Sequence, residues 1–406
     1  MIKRYFKRPT LLGVGNTLPE RSATPLELFF DLAFVIALAH LVIILEHDMT
    51  YQSLVYIILK FIALFLYWIM ITKYNQYFED HTPIHKLIIL LSMIPIIFLT
   101  IGGDITNLYL YRLYTESFVV SRLFIILLWF WGSYKVQNNY LKKIVKVNYI
   151  TSINSIVVVL LGFSFILADR ILVWLIIWSY VLGFEIVYPL YKLTKINQGI
   201  DFSKPNIPIF DRKLQVERAT LFVILILGEG LVGVSALVNH LESGKIIDAT
   251  ALLVTTFLLF WIFTDYYASH TVKLEYTLKL NYLNLFQTLA NFLIIISIVI
   301  MFEHHNKFTQ LILGIGLILH ALTNIILHNN KDEFIYEKYH YKTKDVKYEV
   351  KHDIVQKSFI LNIIMGILLL FIELSISNLI ILINLILFVN VILIIRGSLY
   401  LKINTK

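Results

Sequence analysis

Cysteine is absent from the 406 residues, which excludes a disulfide framework, thiolate metal sites and a cysteine nucleophile. Charge is scarce too. Asp, Glu, Lys and Arg make up 15% of the chain, against about 25% in a soluble domain. There is no nucleotide-binding glycine loop, no HExxH helix and no clustered metal-ligand spacing. His304 and His305 stand alone, and Pro83 separates His81 from His85, so neither pair forms a helical metal site. An ATP-driven pump or a zinc protease is therefore unsupported, and no cofactor or metal is expected. Residues 1–22 are basic, with only the short Leu11–Val14 run apolar. That pattern is no secretory signal, so the first spanning helix is expected to stay uncleaved.

Apolar residues fill the space that charge leaves. They make up 58% of the chain, including 28 Phe, 24 Tyr and 6 Trp. A water-facing surface cannot absorb that excess, whereas a bilayer can. The aromatic residues cluster near the ends of apolar runs, where amphipathic rings meet a lipid interface. Spanning takes ~20 apolar residues per helix. Runs of that kind lie near 26–46, 52–72, 87–103, 118–134, 148–167, 171–190, 219–239, 247–266, 282–302, 308–328, 356–373 and 377–395. The fold class read from this is an all-α, polytopic integral membrane protein of about 12 transmembrane helices. Ala168, Asp169 and Arg170 mark the turn between spans 5 and 6.

Basic residues orient the chain. With the amino terminus cytoplasmic, outer loops and outer helix ends carry only Arg112, Arg122, Arg170, Lys245 and Lys307, and Lys60 lies within a span. All other Lys and Arg fall on the inner side, as the positive-inside rule requires. The net charge of +8 is thus an orientation signal rather than a nucleic-acid footprint. Both termini are expected in the cytoplasm. Frequent Ile, Lys and Asn point to a bacterial source, hence to the cell membrane. The division is an amino-terminal segment 1–25, a first half 26–190, a connector 191–218, a second half 219–396 with a loop 329–353, and a tail 397–406. Expected partners are membrane lipids and a small-molecule or ion substrate of unknown identity, with no nucleic acid. Oligomeric state is not legible.

A six-helix unit used twice in parallel is a further expectation. Span 1 opens with Glu27 and span 7 with Glu217, 190 residues later; Trp68 and Trp261 recur 193 residues apart. An even number of spans per copy puts both in the same orientation.

Ionisable groups within a bilayer cost several kcal/mol and mark sites by default. Thr24, Pro25 and Glu27 fit a capping box with proline at the first helical position. Asp31 lies one turn deeper on the same face, beyond any capping need. His40 follows nine residues later. Glu229 sits midway along span 7 between Gly228 and Gly230, where glycines permit a close helix approach or a broken helix lining a cavity. Asp31, Glu229 and His40 are the proposed coupling or binding groups. Glu27, Glu217, Arg218 and Asp265, at inner helix ends, form a proposed inner gate. His320 and Asn324 with Gly316 in span 10, and Asn362 with Ser358, Gly366 and Glu373 in span 11, make polar stripes that either join helices or line a path. Glu185 is placed near the inner interface and Lys60 snorkelling outward.

The run Glu27-Leu-Phe-Phe-Asp-Leu-Ala-Phe-Val35 and the run Glu217-Arg-Ala-Thr-Leu-Phe-Val-Ile-Leu-Ile-Leu-Gly-Glu229 resemble the two signatures of the bacterial low temperature requirement protein A family. Phe260-Trp-Ile-Phe-Thr-Asp265 resembles the aromatic-rich helix that follows. Thr220 stands where the family pattern has glycine, and Gly230 where it has serine. The resemblance implies a multi-span bacterial membrane protein linked to growth in the cold, and no defined catalytic residues. The leading functional expectation is a secondary transporter coupled to protons or Na⁺. An intramembrane enzyme acting on lipids or isoprenoids, with Asp31, His40 and Glu229 as acid/base groups, and an ion channel or structural membrane factor stay open as alternatives.

Overall fold

A computed structural model of the chain describes residues 10–11, 22–79, 82–101, 107–134, 136–165, 170–198, 212–238, 243–268, 277–303, 306–329 and 352–403. Apart from a two-residue antiparallel pairing of β1 (Thr10–Leu11) with β2 (Phe78–Glu79), the described chain is helical. The chain divides into two compact units, the first being 1–48 with 52–218 and the second 49–51 with 219–406.

The first unit contains α1 (Pro25–His47), α2 (Tyr51–Tyr77), α3 (Pro83–Leu91), α4 (Ile94–Ile101), α5 (Leu108–Ser133), α6 (Asn139–Phe165) and α7 (Arg170–Gln198). It also holds the start of α8 (Arg212–Val238) through Arg218. The remainder of α8 opens the second unit. There follow α9 (Ser243–Trp261), a π-helical segment (Ile262–Ala268), α10 (Thr277–Glu303), α11 (Lys307–Asn329), α12 (His352–Phe371) and α13 (Ile376–Ile403). Ten helical stretches, α3 and α4 counting as one, are long and apolar enough to cross a membrane; α12 adds a shorter apolar stretch, Phe359–Phe371. The expected count of about twelve spans is thus approximate.

The surfaces run opposite to those of a soluble protein. In α1 the large apolar side chains Leu28, Phe29, Leu32, Ile36 and Ile43 are exposed, whereas Glu27 and Asp31 are buried. α13 likewise exposes Ile381, Leu385 and Phe388. Apolar stripes of this width are favourable outside only in hydrocarbon. Each unit has an enclosed helix. Every residue of α2 from Ala63 through Tyr77 is buried, as is every residue of α10 from Gln287 through Ile298. In the first unit α1 packs on α3 and α4, α4 on α5, α5 on α6 and α6 on α7; in the second, α10 packs on α11, α11 on α12, α12 on α13 and α9 on α13.

Two boundaries differ from the sequence reading, and one of its two alternatives for span 7 holds. The third span, expected at 87–103, is broken into α3 and α4 by a turn at Ser92 and Met93. The cause is local: Pro95 has no N–H to continue the ladder, and the Ser92 hydroxyl bonds the Ile89 carbonyl at 2.6 Å. α8 is continuous across Gly228 and Gly230, so no break occurs there; Gly230 serves a close approach, whereas a Cβ added at Gly228 would meet nothing within 4 Å. A Cβ added at Gly230 would lie 2.8 Å from Thr256 Oγ1 and 3.3 Å from Ile295. Finally α7 extends to Gln198 and α8 starts at Arg212, so helix takes up much of the expected connector 191–218. The turn at Ala168 and Asp169, residues 199–211, His304 and His305, and the loop at 330–351 lie outside the described residues.

Candidate functional site

The amino terminus of α1 is fixed by its own sequence. Thr24 caps the helix, Pro25 occupies the first turn, and Glu27 Oε2 accepts hydrogen bonds from the Thr24 N–H at 2.8 Å and its hydroxyl at 3.0 Å. The i, i+4 spacing then places Asp31 directly below Glu27. Both carboxylates meet Arg218 at the start of α8. Arg218 Nη2 donates to Asp31 Oδ1 at 2.5 Å and Nε donates to Oδ2 at 3.3 Å. Its Nη1 lies 3.7 Å from Glu27 Oε1. The Trp68 indole N–H of α2 donates to Asp31 Oδ1 at 2.7 Å, and the guanidinium sits 5.7 Å over the Trp68 ring. Neither Arg218 nor Asp31 exceeds 1% exposure. Two carboxylates thus share one guanidinium in a water-excluded site. The two-pronged contact supplies the geometry such a pair needs to offset its desolvation.

Of the other predicted groups, Glu217 is half-buried beside this cluster, its Oε1 accepting from the Ala23 N–H at 3.4 Å. His40 is half-buried farther along α1, about 13 Å beyond Asp31 at 1.5 Å per residue, so it stands apart from the cluster. Asp265 belongs to the second unit, in the π-helical segment, where it is exposed and accepts from Trp261 Nε1 at 2.6 Å. The side chain of Glu229 lies outside the described residues. His320, Asn324 and Asn362 do come together in the second unit. Asn362 Nδ2 is 3.5 Å from His320 Nδ1, and Asn324 Nδ2 donates to the His320 carbonyl at 2.7 Å. Glu373 lies beyond the end of α12 and is exposed, so it leaves that stripe. Among the described residues, no group of three His, Asp or Glu converges as a metal site requires.

A second ion pair escaped the sequence reading. Arg122, placed at an outer helix end, and Glu185, placed near the inner interface, are partners near the midpoints of α5 and α7. Arg122 Nε and Nη2 donate to the two Glu185 oxygens, each at 2.6 Å, and both side chains have no exposure. Nη1 donates to Ser121 Oγ at 3.0 Å, and the Phe118 ring lies 4.1 Å from the guanidinium. The available signal was two opposite charges at mid-helix within one half. Neither can reach an interface from there, so each needs the other.

Two lysines are also corrected. Lys60 does not snorkel. It is 5% exposed and donates to the Thr100 carbonyl at 3.2 Å, on a face of α2 that is turned into the protein. Lys73, counted with the inner loop, is buried in α2 at 7% exposure. The helix runs four residues past it, to Tyr77.

Buried charge inside, apolar side chains outside and helices of spanning length define a multi-pass α-helical membrane protein. A family profile described as bacterial low temperature requirement A protein matches residues 22–395. The chain belongs to that family. No curated protein and no solved structure matches it.

Proposed function

We propose that this protein is a proton- or cation-coupled secondary transporter of the bacterial cell membrane, with both termini cytoplasmic. In this proposal the Glu27, Asp31 and Arg218 network acts as its inner gate. The supporting observation is the sharing of one buried guanidinium by two carboxylates. A packed apolar contact would hold helices at least as well as a buried ion pair, so stability alone does not account for the arrangement. A carboxylate that can exchange a guanidinium for a proton or a cation provides two states of one contact, which alternating access requires. The trio carries one carboxylate more than its guanidinium, and such an excess favours uptake of a proton or cation. The low temperature requirement in the family's description enters the proposal as the condition under which the transported solute becomes limiting.

The test uses purified full-length protein in liposomes loaded with a pH-sensitive or cation-sensitive dye. Amino acids, organic acids, sugars and metal cations are added outside one at a time. At least one solute is expected to drive proton or cation movement. Asp31→Asn keeps the volume and the acceptor for Trp68 while removing the charge, and should abolish that movement with an unchanged size-exclusion profile. A panel that moves neither ion overturns the reading, as does an Asp31→Asn protein that couples like wild type.

A further inference from the structure

In the second unit, buried polar atoms without a hydrogen bond are not scattered. Among the described residues, every one of them lies on Gln287 and Asn291 of α10, His320 and Asn324 of α11, or Asn390 of α13. Asn362 of α12 joins the group: Asn390 Nδ2 donates to its Oδ1 at 3.0 Å, and its own Nδ2 faces His320 Nδ1 at 3.5 Å. Asn324 Nδ2 donates to Gln287 Oε1 at 3.2 Å, and the Thr323 hydroxyl donates to the same oxygen. Four helices therefore contribute to one polar cluster, and Gln287, Asn291, His320, Asn324, Asn362 and Asn390 have no exposure.

The register places the remaining member. Consecutive helices joined by a short link run antiparallel, and Gln287 of α10 meets Asn324 of α11. One turn onward along α10 lies Asn291, and one turn back along α11 lies His320, so the two share a level. A further turn brings Gly316 against α10, where its added Cβ would lie 3.1 Å from the Ile294 nitrogen. Neither atom of the Asn291 amide has a partner.

The kinds of unpaired atom define what they would bind. In the tautomer whose Nδ1 accepts from the Asn362 amide 3.5 Å away, the imidazole proton is on Nε2. The unpaired donors are then Gln287 Nε2, Asn291 Nδ2 and His320 Nε2; the unpaired acceptors are Asn291 Oδ1, Asn324 Oδ1 and Asn390 Oδ1. An anion would satisfy only the donors and a cation only the acceptors. Buried polar atoms are costly when unpaired and in native proteins almost always find partners. We propose that this cluster is a binding site for an uncharged solute carrying both hydrogen-bond donors and acceptors, of the polyol, sugar or carboxamide class. It stands apart from the transport reading, since binding to it needs no coupled ion.

The test is thermal unfolding of the full chain in nanodiscs, prepared without glycerol. Glycerol, glucose and acetamide are titrated separately, with sodium chloride and sodium phosphate as charged probes. At least one uncharged probe should raise Tm saturably by about 2–4 °C. Asn291→Leu, close to isosteric, should remove that saturable shift, and Asn390→Leu serves as a second variant should the first fail to fold. The proposal is overturned if no uncharged probe gives a saturable shift, or if the shift persists in the variants. It is equally overturned if only a salt gives a shift that the variants lose. None of these readouts involves an ion gradient, so failure here leaves the transport proposal standing, and the reverse also holds.

Discussion

Removing one partner of the Arg122 and Glu185 pair should be far more damaging than removing both. Both side chains are without exposure and joined by two 2.6 Å hydrogen bonds, so solvent screening does not soften the loss. Arg122→Met leaves a carboxylate in the interior without its guanidinium, and Glu185→Leu leaves the guanidinium without its carboxylate. Breaking a buried pair in this way costs about 3–5 kcal/mol. Replacing both, as Arg122→Met with Glu185→Leu, removes the charges together and fills similar volume with apolar atoms. The Ser121 hydroxyl loses a donor, but it bonds the Phe118 carbonyl at 2.6 Å and so keeps a partner. The double variant should therefore lie within about 1–2 kcal/mol of wild type, on either side. A double-mutant cycle measured by equilibrium unfolding in mixed micelles isolates the coupling, expected at ~3 kcal/mol or more. Single variants costing under ~1 kcal/mol, or a double variant as unstable as the sum of the singles, would refute the reasoning.

Two further outcomes follow from packing and burial. A Cβ at Gly314 would lie 2.7 Å from the Gly366 carbonyl oxygen, where backbone meets backbone and cannot yield. Gly314→Ala should thus separate α11 from α12 and lower stability by about 1–3 kcal/mol. Gly183 in α7 has nothing within 4 Å of the same position, and Gly183→Ala should be neutral or stabilising by up to about 1 kcal/mol; the two melting temperatures, measured side by side, check the contrast. Lys73→Met should raise stability by ~1–3 kcal/mol, because it removes an ammonium from an enclosed helix while keeping the length of the side chain. A lower melting temperature for that variant would show that the charge is compensated in the folded protein.

The first signature is the most legible part of the site. Threonine, proline and glutamate within four residues specify a helix start, and Asp31 one turn later is too deep to serve as a cap. The identity of its partner is only partly legible. The sequence groups Glu217, Arg218 and Asp265 at inner helix ends as companions of Asp31 or as ordinary end charge, and only the fold selects Arg218, 187 residues away. Glu185 and Arg122 are misplaced by the sequence for a related reason. Distance along a helix stands in for depth in the bilayer, which assigns each to the nearer interface. In the folded protein α5 and α7 pass each other so that the two charges meet. Lys60 and Lys73 show the same error, because reaching an interface requires an outward-facing position and both lysines are turned from α2 into the protein. Hydropathy cannot distinguish an enclosed spanning helix from a peripheral one, since hydrocarbon and protein interior are both apolar.

The sequence alone determined that the chain spans a membrane, about how many times, and where its first helix begins. These are local or additive properties: a long apolar run must be helical in lipid because the backbone has no other way to satisfy its hydrogen bonds, and a cap needs only its neighbours. Tertiary structure alone decided which helices are enclosed and which charges pair, and it gathered six polar side chains from four helices into one cluster. Those properties depend on how each helix is rotated toward the others. In a bilayer that rotation is set by packing and by a few buried polar contacts rather than by hydrophobicity, so no periodicity in the chain announces it.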